Sequence, residues 1–102
     1  MTAYTFKDKH VLVTGAGGGM GSAVAKDLSE TAARLVLTDR HPWVLEELIE
    51  SLPGPSITHS IPADLSVPGE VARLAREAVS AAGHIDLVFN IAGIGYFALM
   101  EE

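Results

Sequence analysis

Short apolar runs alternate along this chain with stretches of helical spacing. Val11, Leu12 and Val13 follow the polar pair Lys9–His10 and read as a buried strand. A cluster of glycines closes it. Met20, Val24, Leu28 and Ala32 then recur every four residues, which predicts one face of a helix. Leu35, Val36 and Leu37 make a second strand ending at Thr38–Asp39. Pro42 suits the first turn of a second helix, where its missing N–H costs nothing. Leu45, Leu48, Ile49 and Leu52 form that helix's inner face, and Pro53-Gly54-Pro55 stops it. Alternation from Ile57 to Ile61 predicts a third strand. Ser66 is the expected cap of a third helix, with Pro68 in its first turn. Val71, Leu74, Ala78 and Ala82 give its apolar stripe, Gly83 ends it, and residues 85 to 90, IDLVFN, form a fourth strand.

The order is β-α-β-α-β-α-β. Strands alternating with helices of this length imply a parallel sheet, since parallel neighbours need a crossover connection. Right-handed crossovers give an α/β, Rossmann-like arrangement with strand order 3-2-1-4 and helices on both faces, an incomplete three-layer α/β/α sandwich. The 102 residues are expected to form one domain, without internal repeat or linker.

Composition narrows the function. Seven Lys and Arg against 13 Asp and Glu give a net charge of −6, with no basic cluster, which argues against nucleic-acid binding. The absence of cysteine excludes disulfides, thiolate metal sites and a cysteine nucleophile. The opening MTAYTFKDKH has no apolar signal core, and the run IAGIGYFALM is short of the roughly 20 residues that span a bilayer. A cytoplasmic protein without membrane attachment is expected.

Gly15, Gly17, Gly18, Gly19 and Gly21 lie between a strand and a helix. Free N–H groups and the helix dipole favour an anion at such a helix start. Bare backbone lets a phosphate approach, and glycine permits the positive φ of a tight turn. The G-x-G-x-x-G spacing does not fit, because counting from Gly15 its last position is Met20. The spacing T-G-x-x-x-G-x-G does fit, through Thr14, Gly15, Gly19 and Gly21.

With this loop the sequence resembles the short-chain dehydrogenase/reductase family. TGAGGGMG matches the family's glycine loop, Asp64-Leu65 its pair after the third strand, and Asn90-Ile91-Ala92-Gly93 its N-N-A-G motif after the fourth. Gly18 and Gly21 also satisfy T-G-x-x-G-x-x-G, the loop of an epimerase-like branch; the other two motifs favour the ordinary branch. The resemblance covers the whole chain but only the N-terminal part of the family's domain. It implies a dinucleotide held by Gly15, Gly17, Gly18, Gly19, Met20 and Gly21. Asp64 and Leu65 would meet the adenine, and Asn90, Ala92 and Gly93 the nicotinamide-side ribose. Ile91 departs from the family's second Asn.

Asp39, at the end of the second strand, can accept hydrogen bonds from ribose hydroxyls and would repel a 2′-phosphate, which favours NAD over NADP. Arg40 is the opposing signal, since a guanidinium can lie over adenine or pair with a 2′-phosphate. Trp43 reads as packing or as a lid near adenine. His10, His41, His59 and His84 show no metal-ligand spacing on one helix, so solvated or capping roles are expected for all four.

The family's chemistry, hydride exchange between nicotinamide and an alcohol/carbonyl pair, uses a Tyr-x-x-x-Lys relay and a Ser. Tyr4 is followed four residues on by Asp8, and Tyr96 by Met100. No catalytic residue is therefore assigned, and no catalysis is expected of the chain alone. Three readings stand: a truncated NAD-dependent oxidoreductase, a non-catalytic NAD-binding module, or a subunit completed by a partner. An unpaired fourth-strand edge beside Ile91, Ile94, Phe97 and Leu99 predicts self-association, as burying each is worth about 1.5–3 kcal/mol.

Overall fold

The computed structural model describes residues 6–54 and 58–91. Strands β1 (His10–Thr14), β2 (Arg34–Thr38), β3 (Thr58–Ser60) and β4 (Leu87–Asn90) alternate with helices α1 (Gly19–Glu30), α2 (Pro42–Ser51) and α3 (Glu70–Ala82). All three pairings are parallel and the order is β3-β2-β1-β4, as the sequence predicts. Val11 stands opposite Leu35 on one side and Leu87 on the other.

Residue alternation explains why the three central positions of β1 and of β2 are all apolar. Val11, Val13, Leu35 and Leu37 face α1 and α2, packing with Ala25, Leu28, Leu45 and Leu48. Leu12 and Val36 face the other way, against Leu74 and Ala78 of α3 and Ile61. A strand covered on both faces reads as a continuous apolar run, and the buried Thr14 and Thr38 at the strand ends are hydrogen-bonded to Asn90 and to the Ile61 carbonyl. On β4, by contrast, Val88 is 57% exposed although its register partner Leu12 is buried.

Three details depart from the sequence reading. Val24 and Leu28 pack on the core as expected, but the buried residues of α1 are Gly21, Ala25, Leu28 and Ser29, while Met20 is exposed. Strict four-residue spacing drifts by about 40° per step on a helix of 3.6 residues per turn, so the row from Met20 to Ala32 cannot stay on one face. Ala32 lies beyond the helix with φ 62°, in the left-handed turn that leads into β2.

Ser66 does not cap α3. Its N–H and Oγ both donate to Asp64 Oδ1, at 3.0 and 2.6 Å, and hold a turn instead. Pro68 falls in the connection, and α3 starts at Glu70 after Gly69, whose φ is 89°. At the helix stripe, Leu74 and Ala78 are buried but Val71 is exposed. Arg73 anchors this start: it pairs with Glu70 at 2.8 Å and Glu77 at 2.9 Å, and donates to the Pro62 carbonyl at 2.7 Å.

The fourth strand begins at Leu87 rather than residue 85. Ile57 lies outside the described residues, as do Tyr4, Ala92, Gly93, Ile94, Tyr96, Phe97 and Leu99. Among the described residues, no helix is long and apolar enough to cross a membrane.

Candidate functional site

Because all four strands are parallel, their C-terminal ends share one edge of the sheet. The chain doubles back there: β1 leads through α1 to β2 on one side, while β4 lies on the other. Ligands in open α/β sheets bind in the crevice outside such a point.

The glycine loop occupies it. Gly15 has φ 64°, the left-handed turn that an L side chain disfavours. Ala16 N–H donates to the Thr38 carbonyl at 2.9 Å and Gly18 N–H to the Gly15 carbonyl at 3.2 Å, which fixes the loop on β2 and on itself. Helix α1 begins at Gly19 with no side-chain cap on Gly18. The first amides of a helix have no intrahelical acceptor, so those of Gly19, Met20 and Gly21 form the positive end of α1.

The glycines serve different purposes. A Cβ on Gly21 would lie 2.0 Å from the Gly15 carbonyl oxygen and 2.9 Å from Ala16 Cα, so Gly21 lets the helix press on the loop backbone. A Cβ on Gly17 would meet Val44 Cγ1 at 2.1 Å. A Cβ on Gly19 would meet nothing within 4 Å. The surrounding chain does not demand a glycine there; a group approaching from outside would. The residues present therefore fit a phosphate at the start of α1.

Asp39 ties the end of β2 to this loop. Its Oδ2 accepts from Gly17 N–H at 2.9 Å and its Oδ1 from Arg40 N–H at 2.7 Å. Each carboxylate oxygen keeps a further acceptor position. The Arg40 guanidinium turns toward the next strand end, with Nε 3.9 Å from Asp64 Oδ2. Hydrogen bonds from the Ser66 hydroxyl and N–H, with smaller help from Arg40 and His41, hold the Asp64 carboxyl below the usual carboxylate range. Leu65 is half-buried and packs on the core beneath α3. Trp43 is exposed and stacks on His41 with ring centroids 4.4 Å apart.

On the other side Asn90 closes β4. Its Oδ1 accepts from Thr14 Oγ1 at 2.8 Å, joining β1 to β4 at paired positions. Thr14 is thus a positioning residue that the motif contains but the sequence analysis did not single out. Gly15, Gly17, Gly18, Gly19, Met20, Gly21, Asp39, Arg40, Asp64, Leu65 and Asn90 all fall on this one edge, at strand ends or in the turns that follow them.

His84 is 62% exposed and follows the C-cap of α3, in keeping with a solvated or capping role, but it also meets His10: their rings approach to 4.1 Å between centroids, at the opposite edge of the sheet. His41 stacks on Trp43 as described above. His59 is exposed on β3.

A parallel α/β sheet with a glycine-rich turn at its point of reversal defines a nucleotide-binding class of protein. Residues 9–102 match the short chain dehydrogenase family, and the chain belongs to it. It is 41% identical over 97 residues to the mouse dehydrogenase/reductase SDR family member 7B, covering 90% of this chain and 30% of that protein. A short-chain type dehydrogenase/reductase from Mycobacterium ulcerans superposes with a TM-score of 0.80 at 27% identity, over 86% of this chain and 34% of that one. The structure of an NAD+-bound xylitol dehydrogenase superposes with a TM-score of 0.78 at 30% identity, over 83% of this chain and 33% of that one. The chain spans about a third of the length of the curated relatives it matches. Members of the family use NAD or NADP.

Proposed function

We propose that this chain is the NAD-binding part of a short-chain oxidoreductase acting on an alcohol/carbonyl pair. The observation that carries the reading is the open start of α1 at Gly19, set on the same sheet edge as the Asp39 and Asp64 carboxylates. The amides of Gly19, Met20 and Gly21 would receive the pyrophosphate. Asp39, already braced by Gly17 N–H, would accept the adenosine ribose hydroxyls, and its charge disfavours a 2′-phosphate. Arg40 is the opposing signal: its exposed guanidinium, with Nε 3.9 Å from Asp64 Oδ2, is only weakly held by that pair. Asp64 and Leu65 would border the adenine. Asn90, held by Thr14, would meet the nicotinamide-side ribose, together with Ala92 and Gly93. The xylitol dehydrogenase above, crystallised with NAD+, lends its cofactor to this assignment.

Bound nicotinamide supplies the hydride acceptor or donor. What these residues contribute is orientation: they fix the phosphates at one point and the ribose at another. Neither Tyr4 nor Tyr96 has a lysine four positions on, so no proton relay is assigned to them. Gly19→Val tests the cradle. The added side chain finds open space on the protein side, so the helix content by circular dichroism stays the same. NAD affinity by calorimetric titration is expected to fall at least about tenfold, near 1.4 kcal/mol. Equal affinity in the folded variant overturns the assignment.

A further inference from the structure

At the opposite edge of the sheet, His10, His84 and Asp86 converge. His10 Nδ1 and His84 Nε2 are 3.1 Å apart, His84 Nε2 and Asp86 Oδ2 3.3 Å, and His10 Nδ1 and Asp86 Oδ2 3.6 Å. The three atoms form a nearly equilateral triangle. Four ligands about 2.0–2.1 Å from a zinc ion, placed tetrahedrally, stand about 3.3 Å from one another. The triangle has the dimensions of one face of that tetrahedron.

We propose that His10, His84 and Asp86 bind a divalent transition-metal ion of the zinc class through His10 Nδ1, His84 Nε2 and Asp86 Oδ2, with water in the fourth position. The donor set, two imidazoles and a carboxylate, suits zinc and excludes magnesium or calcium, which take oxygen ligands.

Two further features support it. The ligands are held in place before any ion arrives: His10 N–H donates to Asp86 Oδ2 at 2.8 Å and Asp86 N–H to the His10 carbonyl at 2.7 Å. A ligating carboxylate is commonly hydrogen-bonded in this way, which fixes its orientation. His84 comes directly after α3 and its C-cap Gly83, whose φ of 90° turns the chain back toward β1. The carbonyl end of a helix favours a positive charge beside it. Solvent access is present, since His84 is 62% exposed while His10 is only 14% exposed.

Binding requires both facing nitrogens, His10 Nδ1 and His84 Nε2, to be free of hydrogen. Each neutral ring then carries its hydrogen on the outer nitrogen, Nε2 of His10 and Nδ1 of His84. The ion ties the residues that precede β4 to the first residue of β1. It thereby fastens the edge strand at the end remote from the glycine loop. The site stands independently of the nucleotide assignment.

The test is calorimetric titration of the 102-residue chain with zinc chloride, alongside cobalt(II) absorption. One ion per chain and the intense visible bands of tetrahedral cobalt are expected. His84→Ala, a substitution at an exposed side chain, is expected to weaken zinc at least about tenfold, while His59→Ala leaves it unchanged. In the unsubstituted chain, zinc is expected to shift the nitrogen-15 resonances of His10 Nδ1 and His84 Nε2. Absence of binding, equal affinity in His84→Ala, or shifts confined to His41 and His59 would each overturn the proposal.

Discussion

The two ends of β1 gather opposite chemistry. At Thr14 the chain runs into bare amides and the N-terminus of α1. At His10 it meets two imidazoles and a carboxylate beside the C-terminus of α3. The difference follows from the topology. In a β-α-β unit the helix runs back against the strands, so every helix starts at one edge of the sheet and ends at the other. The first edge therefore carries helix N-termini and attracts anions, and the second carries C-termini and attracts cations. Short strands make the contrast steep, since five residues of β1 separate the ends by only about 13 Å.

The strongest way to break the anion end is Gly21→Ala. The new Cβ would sit 2.0 Å from a backbone oxygen that cannot rotate away, so the loop must shift. A stability loss of about 1–3 kcal/mol is expected, as for other overpacked sites. NAD affinity should fall with it. Urea unfolding measures the first and titration the second; the His10 end should keep its metal affinity throughout. If stability is unchanged, the close approach of α1 to the loop is wrong.

A finer change asks which nucleotide the edge selects. Asp39→Asn keeps an acceptor for Gly17 N–H while removing the charge. The ratio of NADP to NAD affinity is expected to rise about tenfold, or 1.4 kcal/mol, in paired titrations. An unchanged ratio would mean that the carboxylate does not discriminate.

Thr14→Val is a smaller perturbation of the same end. It preserves shape and removes the 2.8 Å hydrogen bond to Asn90 that joins β1 to the edge strand. About 0.5–1.5 kcal/mol of stability should be lost in denaturant unfolding. Zinc affinity at the far end should hold. A loss at both ends would show that β4 pairs with β1 as one cooperative unit.

The gathering of the glycine loop and the strand ends on one edge was legible in the sequence because its parts are local. A strand, a glycine turn and a helix start follow one another within residues 10–21, and Asp39, Asp64 and Asn90 each close a run of apolar residues or lie just beyond one. The parallel sheet followed from the alternation of periods, and its order from the right-handed crossovers of a Rossmann-like arrangement. The face of α1 was misread because a four-residue repeat does not match a 3.6-residue turn. The start of α3 was misread because Asp64 holds Ser66 in a turn and the chain enters the helix only after Gly69, too far on for a Ser66 cap. The cation edge was illegible for another reason. His10 and Asp86 are 76 positions apart and come together only through β1–β4 pairing, so no spacing rule along the chain reaches them.

The smallest expected effect concerns acid. The Asp64 carboxyl titrates below its ordinary value, held there first by the Ser66 hydroxyl and then by the Ser66 N–H. A carboxylate with a depressed folded-state pKa adds stability that is present above the unfolded value and disappears as pH falls through the folded one. The window lies below about pH 4. Ser66→Ala removes the hydroxyl and leaves the N–H bond, so the folded pKa should move back toward the unfolded one. The substituted chain should be slightly less stable at pH 7. That gap should close as the pH falls below the window, because both proteins then carry a protonated Asp64. Unfolding curves at pH 7 and pH 2.5 compare the two directly. A gap of constant size would mean that the hydroxyl acts through the turn geometry and not through the charge it stabilises, and that the orientation of Asp64 is set by backbone alone.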